Sequence, residues 1–209
     1  WLRLREPHDL AARDRDCMER YAAELRRCAS RPLRLLDLAS GSGASVRALA
    51  PVIGTDQIWT LTDHDADLLS SQVDDSMDLK TRRRVIDLAC RLDELDFAAF
   101  DGITTSAFLD LVSESWLDRF ATKLVAAKRP LLAMLTVDGR RVWQPAHAGD
   151  DAVHAAFARH QSSDKGFGPG LGTAAATRLA RLLRASGYAV TLARSDWRID
   201  ATASAMLNR

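Results

Sequence analysis

The spacing of apolar positions along this chain changes several times, and each change marks an element. Between residues 8 and 29, Leu10, Cys17, Met18, Tyr21, Leu25 and Cys28 recur at helical spacing among charges. This predicts one amphipathic helix, stopped by Arg31-Pro32. Residues 33–38 carry apolar side chains at neighbouring positions, the pattern of a parallel strand buried on both faces. Gly41-Ser42-Gly43 then turns the chain into a helix over 44–50 that Pro51 limits. Further strands are predicted at 58–61, 85–86, 100–104 and 131–137, with helices at 66–72, 107–112 and 116–128. Strand–helix alternation of this kind predicts right-handed βαβ crossovers, hence an α/β fold with a doubly wound, mostly parallel sheet and helices on both faces.

The rhythm breaks after residue 137. Asp138-Gly139 reads as a turn, 148–160 as a helix and 162–172 as a glycine-rich loop with one proline. Residues 173–186 predict an amphipathic helix with Leu179, Leu182 and Leu183 on one face and Gly187 as its cap. A sixth strand is expected at 188–193, and whether 197–199 forms another stays open. The expected organisation is a single domain over 1–209, with an N-terminal helical cap at 1–30, a ligand-binding core at 33–137 and a substrate-side cover at 138–187.

Bulk properties narrow the partners. A chain of 209 residues, 47% hydrophobic and 27% charged, suits one α/β domain. The formal net charge of +1 gives no long-range reason to expect nucleic acid or an anionic membrane. Arg82-Arg83-Arg84 reads as a solvated approach to a strand rather than a phosphate site. Three cysteines without a C-x-x-C pair argue against a disulfide framework and for a reducing, cytoplasmic setting. No stretch approaches the ~18 apolar residues of a membrane span, and no signal peptide opens the chain. The first residue is Trp1 rather than Met, so a trimmed piece of a longer chain is expected. Oligomeric state is not readable, and no metal is assigned.

The candidate chemistry sits in the bend after the first strand, Asp37-Leu38-Ala39-Ser40-Gly41-Ser42-Gly43. In doubly wound sheets, ligands bind outside the carboxyl ends of the strands near the switch point. Small residues at Ala39, Gly41 and Gly43 let a ligand approach the backbone, and the helix starting near Ala44 points free N–H groups the same way. Two ligand classes use such a bend: a nicotinamide dinucleotide, through its pyrophosphate, and S-adenosylmethionine, through its amino-acid end. A carboxylate at Asp37 repels the first and attracts the ammonium of the second. Val46 also stands where the third glycine of a dinucleotide fingerprint belongs.

Asp63 follows the glycines by about twenty residues, where an acidic side chain accepts from ribose hydroxyls. It is alternatively an N-cap, although Asp65 is at least as good a cap. Asp87 either accepts from an adenine amino group or is an ordinary loop residue, with Leu88 against the ring. Thr105 and Ser106 follow the fourth strand and are expected under the sulfonium and methyl. Arg13 either grips the ligand carboxylate or lies on a solvated helix face.

At these residues the chain resembles the class I S-adenosylmethionine-dependent methyltransferases. Leu35-Leu36-Asp37-Leu38-Ala39-Ser40-Gly41-Ser42-Gly43 is similar to their first motif, and Trp59-Thr60-Leu61-Thr62-Asp63-His64-Asp65 to their second. Val85-Ile86-Asp87-Leu88 resembles the third, and Phe100-Asp101-Gly102-Ile103-Thr104-Thr105-Ser106 the fourth, so the likeness covers about residues 33–137. Ala39 departs from the usual first glycine, and alanine fits there if its φ stays negative. The resemblance implies a seven-stranded sheet with one antiparallel strand. It implies S-adenosylmethionine as cofactor, with S-adenosylhomocysteine as product, and the residues expected to hold it are Asp37, Ala39, Ser40, Gly41, Gly43, Asp63, His64, Asp87, Leu88, Thr105 and Ser106, joined from outside the likeness by Arg13, whose guanidinium matches a carboxylate.

Methyl transfer needs a base only for a hydroxyl or protonated amine acceptor. Asp110, Asp138, His147 and His160 are candidates, and His160, beside the glycine-rich loop, is the first choice. Near-neutral charge and the expected cover favour a small-molecule acceptor. No Asn-Pro-Pro-Tyr-like run follows the fourth strand, which argues against base- and amide-nitrogen substrates. The rival readings are a nicotinamide-dependent oxidoreductase, an aminopropyltransferase, for which no acidic polyamine-binding run is present, and a non-catalytic cofactor-binding protein on the same fold.

Overall fold

The computed structural model describes residues 1–28, 32–54, 56–70 and 79–207. The expected helix stops at Ala29–Arg31 and at Gln72 therefore lie outside the described residues. Two compact units divide the chain. The first comprises residues 1–106, 128–135 and 191–209, and the second 107–127 and 136–190.

In the first unit, β1 (Leu33–Leu38), β2 (Gln57–Asp63), β3 (Lys80–Val85), β4 (Gly102–Ser106) and β5 (Leu131–Met134) form one sheet in the order β3-β2-β1-β4-β5. All four pairings are parallel. The sheet is thus doubly wound, and the order reverses between β1 and β4. Leu33, Leu35, Leu36 and Leu38 are all buried, as a strand covered on both faces requires. The main core gathers Leu33 and Leu35 with Leu25, Val46, Leu49, Ile53, Trp59 and Leu61. Gly102 is where the sheet admits its closest neighbour: a Cβ there would lie 2.3 Å from the Tyr21 hydroxyl, which donates to the Ile103 carbonyl at 3.1 Å.

Several expectations change. The single helix at 8–29 is two, α1 (Leu2–Ala12) and α2 (Arg15–Cys28). Arg13 between them is extended at φ −63°, ψ 129°, and Asp14 accepts the Cys17 N–H at 2.8 Å, starting α2 afresh. The next helix, α3 (Ala44–Ile53), runs past Pro51, because a proline in the last turn forfeits one bond and Gly54 at φ +61° closes the helix afterwards. α4 spans Ala66–Ser70. β3 lies earlier than Val85-Ile86, over the polar run Lys80–Val85, because an edge strand open to solvent needs no apolar alternation. A short α5 (Leu88–Arg91) follows it.

Where the resemblance implied seven strands with one antiparallel, the described residues form five, all parallel. The predicted strand at 188–193 has no ladder partner and is irregular, with Leu192 55% exposed.

The second unit pairs α6 (Glu114–Ala127) with α8 (Ala175–Ala185). Arg178 bridges Glu114 at 2.6 Å and Asp118 at 2.8 Å. Phe108, Trp116, Phe120 and Phe167 form an aromatic cluster with ring centroids 5.3–5.7 Å apart. Phe167 anchors the glycine-rich loop in that cluster, beyond α7 (Asp150–Ser162). A last turn of helix, α9 (Ser204–Leu207), belongs to the first unit. Among the described residues no helix is long and apolar enough to cross a membrane.

Candidate cofactor site at the switch point

The bend between β1 and α3 is built by hydroxyls and carbonyls. The Ser40 hydroxyl donates to the Asp37 carbonyl at 2.9 Å and accepts the Thr62 N–H at 3.1 Å. Thr62 Oγ1 donates to the same Asp37 carbonyl at 2.9 Å. The backbone of Asp37 therefore braces the turn, which leaves its side chain for other work.

That carboxylate is fully buried. Oδ1 accepts from Thr104 Oγ1 at 2.7 Å, across the switch point, and Oδ2 has no hydrogen-bond partner among the described residues. Burial pushes the Asp37 pKa up to about 6, while the hydroxyls of Thr104 and Ser40 and, after them, the Arg13 charge pull it down. An ionisable oxygen buried without a donor is costly, and such an atom is expected to meet a ligand donor.

Arg13 does not lie on a solvated face, which removes that alternative. Its residue is 6% exposed, and Nη1 donates to Ser106 Oγ at 3.2 Å and to Met134 Sδ at 3.0 Å, over the ends of β4 and β5. It makes no ion pair with a carboxylate among the described residues, and burial lowers its pKa. The break between α1 and α2 places it: an extended residue turns the side chain inward where a continuous helix would not. Arg13 lines a cavity of about 40 Å³ with Glu6, Leu10, Ala44, Arg47 and Ala48. This is room for a carboxylate-sized group, far below the roughly 300 Å³ of a small-molecule pocket. The uncapped start of α3, where Gly43 sits at φ +76°, adjoins that cavity through Ala44.

The backbone at the bend corrects one expectation. Ala39 has φ +51°, not a negative value, so alanine occupies the left-handed region that favours glycine. Ala107 at +51° and Leu135 at +56° are likewise each the first residue after a parallel strand. Such strain gathers at functional sites.

Asp63 is 6% exposed, with both oxygens engaged. Oδ2 accepts the Gly41 N–H at 2.8 Å, and Oδ1 accepts the Asp65 N–H at 3.1 Å beside His64 Nδ1 at 3.1 Å. The cap of α4 is Asp65, which accepts from Asp67 and Leu68. Asp63 thus ties the end of β2 to the bend, and Oδ2 keeps a lone pair for a further donor. The His64 side chain is 81% exposed. Asp87 caps α5 by accepting the Ala89 N–H at 2.9 Å, with Leu88 buried behind it. Thr105 Oγ1 donates to the Leu38 carbonyl at 3.0 Å.

The structure joins Arg13 to Ser106, Asp37 to Thr104, Ser40 to Thr62 and Asp63 to Gly41 along the carboxyl ends of β1, β2, β4 and β5. His160 lies in the second unit, exposed at the last turn of α7, its Nε2 3.2 Å from Lys165 Nζ. Of the other base candidates, Asp138 pairs with Arg140 at 2.6 Å, His147 accepts the Gly149 N–H, and Asp110 accepts from Gln161. Sequence reasoning missed Thr104, Glu6 and Arg47. Two adjacent threonines inside a buried strand were the available signal for Thr104, and nothing local marked the other two.

No family model and no curated protein matches the chain. Solved structures do. An O-methyltransferase family protein from Burkholderia thailandensis superposes with a TM-score of 0.54 at 16% identity, over 84% of this chain and 51% of that one. A mycolic acid cyclopropane synthase complexed with SAH and CTAB gives 0.53 at 12% identity, over 84% and 60%. Human N-acetylserotonin methyltransferase in complex with SAM gives 0.51 at 11% identity, over 90% and 47%. The chain spans about half to three-fifths of the length of these structures. It has the Rossmann-like methyltransferase fold.

Proposed function

We propose that this chain is an S-adenosylmethionine-dependent methyltransferase acting on a small-molecule acceptor. The reading is carried by one observation. At the switch point, among the described residues, a buried carboxylate oxygen, Asp37 Oδ2, has no hydrogen-bond donor, and a buried guanidinium, Arg13, makes no ion pair with a carboxylate, although Asp9 and Asp37 are near enough to act on its charge. An amino-acid zwitterion supplies the missing partner to each, because its ammonium donates and its carboxylate accepts. A diphosphate satisfies only the guanidinium and meets Asp37 with like charge. In this reading Asp63 receives the ribose, Leu88 lies against the adenine, and Thr105 and Ser106 stand near the sulfur.

When bound, the cofactor supplies a methyl group on a cationic sulfur, open to displacement. The chain's own residues, Asp37 and Arg13, orient its amino-acid end. Where the acceptor must lose a proton, His160 is the residue proposed to take it. Near-neutral net charge supports an acceptor that is not a polyanion.

The test is calorimetric titration with S-adenosylhomocysteine and, in parallel, NAD, followed by methyl transfer against a metabolite panel. Heat from the first ligand alone supports the reading. Heat from NAD alone replaces it with the oxidoreductase. Cofactor binding without turnover on any acceptor favours the non-catalytic alternative.

A further inference from the structure

The 40 Å³ cavity beside Arg13 is far too small for a nucleoside, and half of its lining comes from α1 or the residue just after it: Glu6, Leu10 and Arg13. What holds α1 in place is therefore what limits access. The attachment is mostly polar. None of its residues joins the main core cluster, and only Asp9 and Ala12 within it are buried. Glu6 takes Arg47 of α3 in a two-pronged pair, with Arg47 Nη2 at 2.8 Å from Oε2. The same guanidinium donates to the Ser42 carbonyl at 2.6 Å, inside the bend. Asp9, paired within the helix to Arg5, also accepts from Trp197 Nε1 at 3.0 Å, outside α1. Beyond these clasps the helix ends at the extended Arg13, a natural hinge, and α2 begins on its own cap at Asp14.

We infer that α1 is a hinged strap across the cofactor site, latched by Glu6–Arg47, and that Arg47 is a positioning residue coupling the strap to the Ser42 turn. The identity of what enters rests on the methyltransferase reading; the strap itself does not. Opening α1 breaks the Glu6–Arg47 ion pair, the Trp197–Asp9 hydrogen bond and the Arg13 contacts to Ser106 and Met134, polar contacts that water can replace, and exposes little core, so it costs less than unfolding the sheet. Opening also frees Arg13 and the start of α3 together, the two groups suited to an entering carboxylate. Re-closure then places Leu10 and Arg13 over the bound group.

Hydrogen exchange on the ligand-free chain, read by mass spectrometry, tests the strap. Amides of α1 are expected to exchange well ahead of those of α2, and Glu6→Gln to speed α1 a further three- to tenfold while α2 keeps its rate. Stopped-flow binding of S-adenosylhomocysteine to Glu6→Gln is expected to show a faster on-rate by a similar factor. Equal protection of α1 and α2, unchanged by Glu6→Gln, overturns the strap. So does a protein whose α1 opens faster while the on-rate stays fixed. The expected exchange pattern with no S-adenosylhomocysteine binding at all overturns the methyltransferase reading and leaves the strap standing.

Discussion

Replacing Ala39 with glycine should stabilise the protein, contrary to the usual effect of adding glycine. Ala39 sits at φ +51°. An L-residue with a Cβ pays about 1–2 kcal/mol there relative to right-handed backbone, which glycine does not. Against this, glycine gains freedom in the unfolded chain, costing about 0.5–1 kcal/mol. The half-buried Ala39 methyl also contributes packing, about 0.4 kcal/mol as half of a buried methylene. At the midpoints the balance is a gain of about 0.4 kcal/mol, a melting temperature higher by roughly 1 °C in a domain of this size. The matched control is Ala50→Gly in α3, a helical residue that is 4% exposed. There glycine relieves nothing and should cost roughly 1–2 kcal/mol. Urea unfolding of the two variants should therefore move the midpoint in opposite directions at constant slope. Equal destabilisation would refute the left-handed backbone at Ala39, and with it the idea that the bend holds strain.

Other expectations follow from the same site. Arg13→Met removes a buried cation that makes no ion pair among the described residues, so stability should hold or rise slightly while S-adenosylhomocysteine affinity falls roughly ten- to a hundredfold, as for losing a charged hydrogen bond; parallel losses of stability and affinity would make Arg13 merely structural. Asp37 has a folded pKa of about 6 against an unfolded value near 3.8. The folded state therefore binds more protons between pH 4 and 6, and stability should fall across that window by up to roughly 3 kcal/mol, a slope that Asp37→Asn flattens. Ligand affinity should run the other way, strengthening as Asp37 ionises through pH 6, and a pH-independent affinity would remove Asp37 from the site. Asp63→Ala should weaken S-adenosylhomocysteine by roughly 1–3 kcal/mol and also lower the melting temperature, because Gly41 and Asp65 lose their acceptor. Gly102→Ala forces a methyl onto Tyr21 and Leu25 and should cost about 1–3 kcal/mol in a denaturation midpoint.

Much of the fold was legible where burial leaves a pattern. β1 is a run of leucines because both its faces are covered, and the turn after it needs positive φ, which Gly41 and Gly43 announce. β3 was misplaced because an edge strand of Lys80 to Arg84 has no apolar face to read. The sixth strand failed for the opposite reason: Tyr188 to Ala193 has strand composition, but a strand exists only through its ladder. The break at Arg13-Asp14 hid inside a charged stretch whose helical spacing continues across it. The same break decides the site, because it turns Arg13 inward among side chains that sequence spacing places on water. Asp37 was legible by position, but its unpartnered oxygen appears only once Thr104 is seen to take the other.

A crystal structure of the chain with S-adenosylhomocysteine examines the central claim most directly. The ligand's amino group should face Asp37 Oδ2, directly or through one water, with its carboxylate at Arg13 and its ribose at Asp63. A ligand whose amino acid lies away from both charges, or a dinucleotide whose phosphates cross residues 39–44, would contradict it.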